Sequence, residues 1–181
     1  MNRFSVRQLV LAAAFAALTA VCSWISVPVF TVPFTLQTFG VELALFCLGG
    51  RTGFLSVFVY LLLGVAGVPV FSGFNGGAGY LLGPTGGYIL GFLATALVWM
   101  LLESRFSGNR GLRLGGMLIA LAACYAIGTG WFYYFYGRVH DMSVGRVLGI
   151  CVVPFLIPDG AKLILAELVS ERVRRAVHFY S

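Results

Sequence analysis

Charge is what this sequence has least of. Only 10% of its 181 residues are Asp, Glu, Lys or Arg, against about 25% in an ordinary soluble domain. So little charge could not cover a globular surface in water. No hydrophilic stretch is longer than Glu103 to Arg113, and no linker divides the chain into two domains. The glycine-rich segment is not followed by Gly-Lys-Ser/Thr, which excludes a Walker phosphate loop. Cys22, Cys47, Cys124 and Cys151 stand singly inside apolar runs without CxxC spacing, the pattern of small buried hydrophobes rather than of a metal or redox site. His140 and His178 are isolated, so no metal ion is expected. The net charge of +6 is not gathered on a basic face interleaved with aromatics, so nucleic acid is not a partner.

What the chain does have is apolar sequence in long runs: 60% of its residues are hydrophobic and mean hydropathy is +0.96. Six runs are visible, at 6–27, 36–48, 54–66, 85–102, 112–136 and 144–169. Crossing a bilayer takes about 20 residues, and spanning backbone must bond internally, so continuous runs read as helices. The second and third are short and need help from neighbours or thinned lipid to cross. Arg3 and Arg7 precede the first run as in a signal peptide, but no small-residue cleavage site follows, so that run reads as a retained helix. The fold class expected is an all-α integral membrane protein of six transmembrane helices in one domain, 1–181, embedded in lipid.

Arginine orients it. With the N-terminus inside, Arg3, Arg7, Arg51, Arg105, Arg110, Arg113, Arg172, Arg174 and Arg175 fall on the cytoplasmic side, and Arg138 and Arg146 outside. Nine against two follows the positive-inside rule and places both termini in the cytoplasm. The last three arginines read as headgroup anchors.

Three features are out of the ordinary. The segment 27–35 carries Pro28 and Pro33 and almost no polar side chain, which predicts an extended, hairpin-like connector or a hydrophobic lid. The segment 67–88 has eight glycines and no charge. Irregular backbone at membrane depth survives when packed in protein or lining a wet cavity, and glycine lets backbone approach a ligand. Here Phe71, Phe74, Tyr80 and Tyr88 offer aromatic walls, and Asn75, beside Gly76 and Gly77, offers a donor and an acceptor. Finally, Pro154 and Pro158 interrupt the sixth run. Pro158 suits the first position of a new half-helix, which would put Asp159 in its first turn, with Lys162 one turn on along the same face. Ionisable groups that deep cost about 2.5–3.5 kcal/mol each on insertion, which marks the pair as functional. An acid–base enzyme built on it lacks a nucleophile or metal cluster; a site for a small polar solute fits, so the chain is not read as an enzyme. Glu42, in the second run, reads as paired with a donor on another helix. Ala12, Ala13, Ala16 and Ala17 give small-xxx-small spacing in the first run, which suits either internal packing or contact with another membrane subunit.

Three stretches, Pro33 to Phe39 (PFTLQTF), Gly67 to Phe71 (GVPVF) and Gly83 to Tyr88 (GPTGGY), resemble the BioY biotin transporters, the substrate-binding S components of energy-coupling-factor (ECF) transporters. The resemblance runs from the first apolar run to Lys162. It implies the six-helix S-component fold in a bacterial cytoplasmic membrane, with biotin captured near the outer face as transported ligand rather than cofactor. It also implies a transmembrane coupling subunit docked on Ala12, Ala13, Ala16 and Ala17, and two cytoplasmic ATPase subunits. In such a site Asp159 and Asn75 would meet the ureido edge, and Lys162 either the ureido oxygen or the carboxylate. Phe34, Phe71, Tyr80 and Tyr88 would enclose the ring, and the lid would order on binding. A solitary transporter without ATPases, or an S component for another vitamin, is the alternative.

Overall fold

The computed structural model describes residues 4–28, 32–106 and 109–177. The first helix, α1 (Val6–Trp24), opens with a reciprocal cap. The Ser5 hydroxyl accepts from the Gln8 amide, and the Gln8 side chain accepts from the Ser5 amide. These bonds satisfy donors that a helix start leaves free. Beyond α1 the chain turns extended ahead of Pro28, and a short antiparallel hairpin, β1 (Ser26–Val27) with β2 (Phe34–Thr35), carries it into α2. The hairpin-like connector expected at 27–35 is therefore present, with 29–31 outside the described residues.

Helix α2 (Gln37–Val65) is two rods, not one. At Gly49 φ is 75° and ψ 173°, a conformation open to glycine but strained for side-chain-bearing residues. The chain reverses there: a methyl on Gly53 would lie 3.0 Å from the Leu45 Cα, and Gln37 bonds Tyr60, a pair that a straight helix would hold about 35 Å apart. The rods 37–48 and 50–65 are about 18 and 24 Å long, short of a hydrocarbon core of about 30 Å. Five helices in the described residues are long and apolar enough to cross a membrane. The reversal in α2 makes six apolar rods of them.

The one-turn helix α3 (Ala78–Leu81) lies within the glycine-rich segment, and then α4 (Gly86–Phe106) and α5 (Arg110–Phe132) pack together. Gly91 seats Cys124 at that contact. A π-turn, Tyr133–Gly137, ends α5. Helix α6 (Val144–Cys151) breaks at Val152, and α7 (Val153–Val177) completes the bundle. This corrects one expectation. The half-helix begins at Val153, with Pro154 in its first turn and Pro158 inside it. Asp159 thus sits a full turn or more into α7, away from the dipole's positive end.

The ends of the bundle differ. At one end Arg51 lies over the Phe4 ring, the Gly50 amide donates to Glu103 at 2.6 Å, and Arg113 pairs with Glu167 at 3.0 Å. At the other, Trp24 stacks on Phe74 and donates to the Pro69 carbonyl, and Trp131 donates to that of Gly83. The arginine-rich connections gather at the first end, and the hairpin and glycine-rich segment at the second.

Candidate functional site

A cleft enclosing about 650 Å³, mouth included, opens between β2, the start of α2, α4, α5 and α7. Its walls are mainly apolar: Val32, Ile89, Phe92, Leu121 and Phe155, with the rings of Tyr80, Tyr88 and Tyr125.

The polar groups converge on one wall. Asp159 and Lys162 are 5% and 6% exposed. The ammonium donates to Asp159 Oδ1 at 2.7 Å, to the Thr35 carbonyl at 2.6 Å and to Thr38 Oγ1 at 3.1 Å. These bonds use its three protons. Its charge lies 4.0 Å from the centre of the Phe34 ring, a cation–π contact. Thr38 donates to Oδ1 at 3.2 Å and Tyr125 to Oδ2 at 2.5 Å. A carboxylate has about four acceptor positions, so one on Oδ2 stays open. Beside it, Gln37 donates through Nε2 to Tyr60, whose hydroxyl donates to the Val70 carbonyl at 3.0 Å. Gln37 lines the same cleft.

Each element contributes for a local reason. The strand β2 carries Thr35 at the hairpin's end, and the first turn of α2 places Gln37 and Thr38 beside it. The three-residue spacing of Asp159 and Lys162 puts both on one face of α7. Tyr88 is seated by Gly128, where a methyl would fall 2.2 Å from its ring, and its hydroxyl bonds Thr129 at 2.9 Å.

Of the residues singled out in the sequence, Asp159, Lys162, Tyr80 and Tyr88 line the cleft. Phe34 covers the ammonium and stacks on Phe155 at 6.2 Å. Phe71 is fully buried behind the wall, stacked 5.5 Å from Tyr80. Asn75 is not among the lining residues. Its amide is spent on the carbonyls of Ser72 and Gly73, closing its own turn, and it is exposed. Gly76 packs on the Val68 carbonyl and the Gly77 amide donates to Gly64 at 2.7 Å, so both shape the loop rather than the cleft. The pair also does not wait for a ligand to complete its bonding, since the protein supplies nearly all of it. Glu42 departs further from expectation: it is buried and neither carboxylate oxygen has a hydrogen-bond partner. Thr35, Gln37, Thr38 and Tyr125 were not singled out. The first three stand within the PFTLQTF stretch, whereas a tyrosine inside an apolar run gives no signal.

On α1, Ala12 and Ala16 are each 1% exposed, and Ala13 and Ala17 face outward. The α1–α2 contact is close: a methyl on Gly40 would stand 3.0 Å from the Thr19 Cα. That contact takes the Ala12/Ala16 face into the bundle, so a separate subunit can meet only Ala13 and Ala17 of the four.

An apolar helical bundle enclosing a cleft with one buried ion pair defines a multi-pass membrane protein that binds a small, partly polar solute. Residues 1–179 match the family model of the BioY family. The chain belongs to that family. A Thermotoga maritima protein named biotin transporter BioY is 41% identical over 170 residues, covering 94% of this chain and 97% of that one. A probable biotin transporter BioY of Pyrococcus horikoshii is 40% identical over 169 residues, covering 93% and 96%. Among solved structures, the S component for biotin from an ECF-type ABC transporter superposes with a TM-score of 0.83 at 27% identity, covering 94% of this chain and 92% of that one. The S component of a bacterial ECF transporter superposes at 0.57 with 17% identity, a likeness of fold alone.

Proposed function

We propose that this chain captures biotin and serves as the substrate-binding subunit of an ECF-type uptake transporter. The observation that carries this reading is the Asp159–Lys162 pair on the wall of an otherwise apolar cleft. Biotin combines an apolar bicycle, a ureido group that donates and accepts, and a carboxylate. The rings of Tyr80, Tyr88 and Phe155 suit the bicycle. The open acceptor position on Asp159 and the Gln37 oxygen suit ureido N–H groups. Lys162 suits either the ureido oxygen or the carboxylate, and an analogue whose carboxylate is an amide separates the two. An unmatched buried polar group costs about 1–3 kcal/mol, so such a wall discriminates against solutes lacking these groups.

The arginine-rich end faces the cytoplasm of a bacterial cell, by the positive-inside rule, and the cleft faces outward. The chain has no Walker loop, so energy from ATP enters through partners: a transmembrane coupling subunit and two cytoplasmic ATPases. The exposed small-residue face of Ala13 and Ala17 supports docking of the first.

Titration of the purified protein with radiolabelled biotin, competed with other vitamins, tests the reading. Saturable binding displaced by biotin alone is expected. Absence of binding, or displacement by a different vitamin, overturns it. Uptake in cells lacking the ATPases separates a coupled transporter from a solitary one.

A further inference from the structure

Glu42 stands four residues after Thr38 on α2, hence one turn deeper on the same face. Thr38 is the residue that bonds both Asp159 and Lys162. The Glu42 side chain is 1% exposed, and both of its oxygens lack a partner. Among the other buried carboxylates, Asp159 is bonded by Lys162, Thr38 and Tyr125, and Glu167 by Arg113 and Ser170 through one oxygen, its second oxygen lacking a partner. The charges that act on Glu42 are those of Asp159 and Lys162 from α7, and the Cys124 thiol of α5 is also within its influence. Helices α1 and α4, which also pack on α2, carry charge at Arg7, Glu103 and Arg105, toward the far, arginine-rich end. An ionised carboxylate without donors is among the costliest groups to bury, while the protonated acid forfeits only the bonds of a neutral group.

We propose that Glu42 is a proton-binding site coupled to the cleft. It holds its proton while an anionic ligand is in place, and on losing it becomes a second anion one turn from the pair that receives the ligand. The step breaks only the Glu42 O–H bond. The proton passes to water, the electron pair stays on the carboxylate, and no further reactant is needed. The resulting charge opposes the ligand carboxylate and competes for the field of Lys162, so proton loss favours release. The coupling rests on the biotin reading, because it needs a ligand that carries a carboxylate.

Two measurements on the full-length protein in lipid nanodiscs test this. Biotin affinity of the wild type should fall as pH rises from mildly acidic to alkaline, on the order of tenfold for a like charge at that separation. Glu42→Gln, and Glu42→Leu as an apolar control, should stay tight over the same range. Identical profiles for wild type and Glu42→Gln overturn the coupling. Infrared difference spectroscopy of the ligand-free protein should show a protonated-carboxyl band that Glu42→Gln lacks; spectra without that difference overturn the proton site. Wild type that binds no biotin at any pH overturns the biotin reading and with it the coupling, and the infrared result then decides the proton site by itself.

Discussion

Tyr125 of α5 donates a 2.5 Å hydrogen bond to Asp159 Oδ2 of α7, across the wall of the cleft. A phenol that meets a carboxylate at that distance holds it in one orientation, and so decides which acceptor position stays open to a ligand. Hydrogen bonds to charged groups are worth about 1.5–3 kcal/mol. Tyr125→Phe keeps the ring and removes the bond, so biotin affinity should fall roughly ten- to a hundredfold while the protein still folds and inserts. Calorimetric titration checks it; unchanged affinity removes Tyr125 from the site.

Lys162 and Asp159 should behave as a unit. Lys162→Met strands a buried carboxylate, which costs about 3–5 kcal/mol, and the thermal unfolding midpoint should drop sharply. Pairing it with Asp159→Asn takes away the stranded charge and should recover most of that stability without recovering biotin binding. Asp159→Asn alone should fold and bind weakly. Unfolding midpoints and titrations of the three variants, measured side by side, decide the matter. Tight biotin binding by the double variant would remove the pair from the recognition site.

Gly128 is predicted to be intolerant of even one carbon. Its methyl would fall 2.2 Å from the Tyr88 ring, so Gly128→Ala must push the ring toward the cleft or part α4 from α5. Lower thermal stability by about 1–3 kcal/mol should accompany weaker biotin binding. Tyr88→Ala placed on top of Gly128→Ala should relieve the stability loss but not the binding loss.

The two faces of α1 should separate in a tryptophan scan. Ala13→Trp and Ala17→Trp enlarge an exposed face and should leave biotin binding intact while blocking uptake in cells. Ala12→Trp and Ala16→Trp overfill the contact with α2 and should impair folding itself. Normal uptake with both outward substitutions sinks the docking role of this face.

The parts legible from sequence were those in which a residue contradicts its surroundings. Asp159 and Lys162 stand out because ions inside an apolar run demand a reason, and the uncharged glycine-rich segment stands out because solvated loops are polar. Tyr125 was invisible for the opposite reason: a tyrosine among apolar residues is ordinary, and its partner is 34 residues away. Spacing put alanines on α1 in pairs but could not choose between faces, since the rotation of α1 is fixed by its contact with Gly40. Asn75 has chemistry suited to a ligand contact, and its amide nitrogen donates to the Ser72 and Gly73 carbonyls within its own short turn. At Pro158 the rule that proline starts helices points five residues too late, because α7 begins at Val153 and Pro154 already fills its early-turn position.

The ammonium of Lys162 is bonded to a backbone carbonyl at the end of β2, not only to side chains on helices. Pulling the hairpin outward therefore tugs on the ion pair, and any ligand that draws the ammonium away loosens the hairpin in turn. The hairpin and the recognition wall are geared together at Lys162, through this hydrogen bond and the Phe34 ring 4.0 Å from the ammonium.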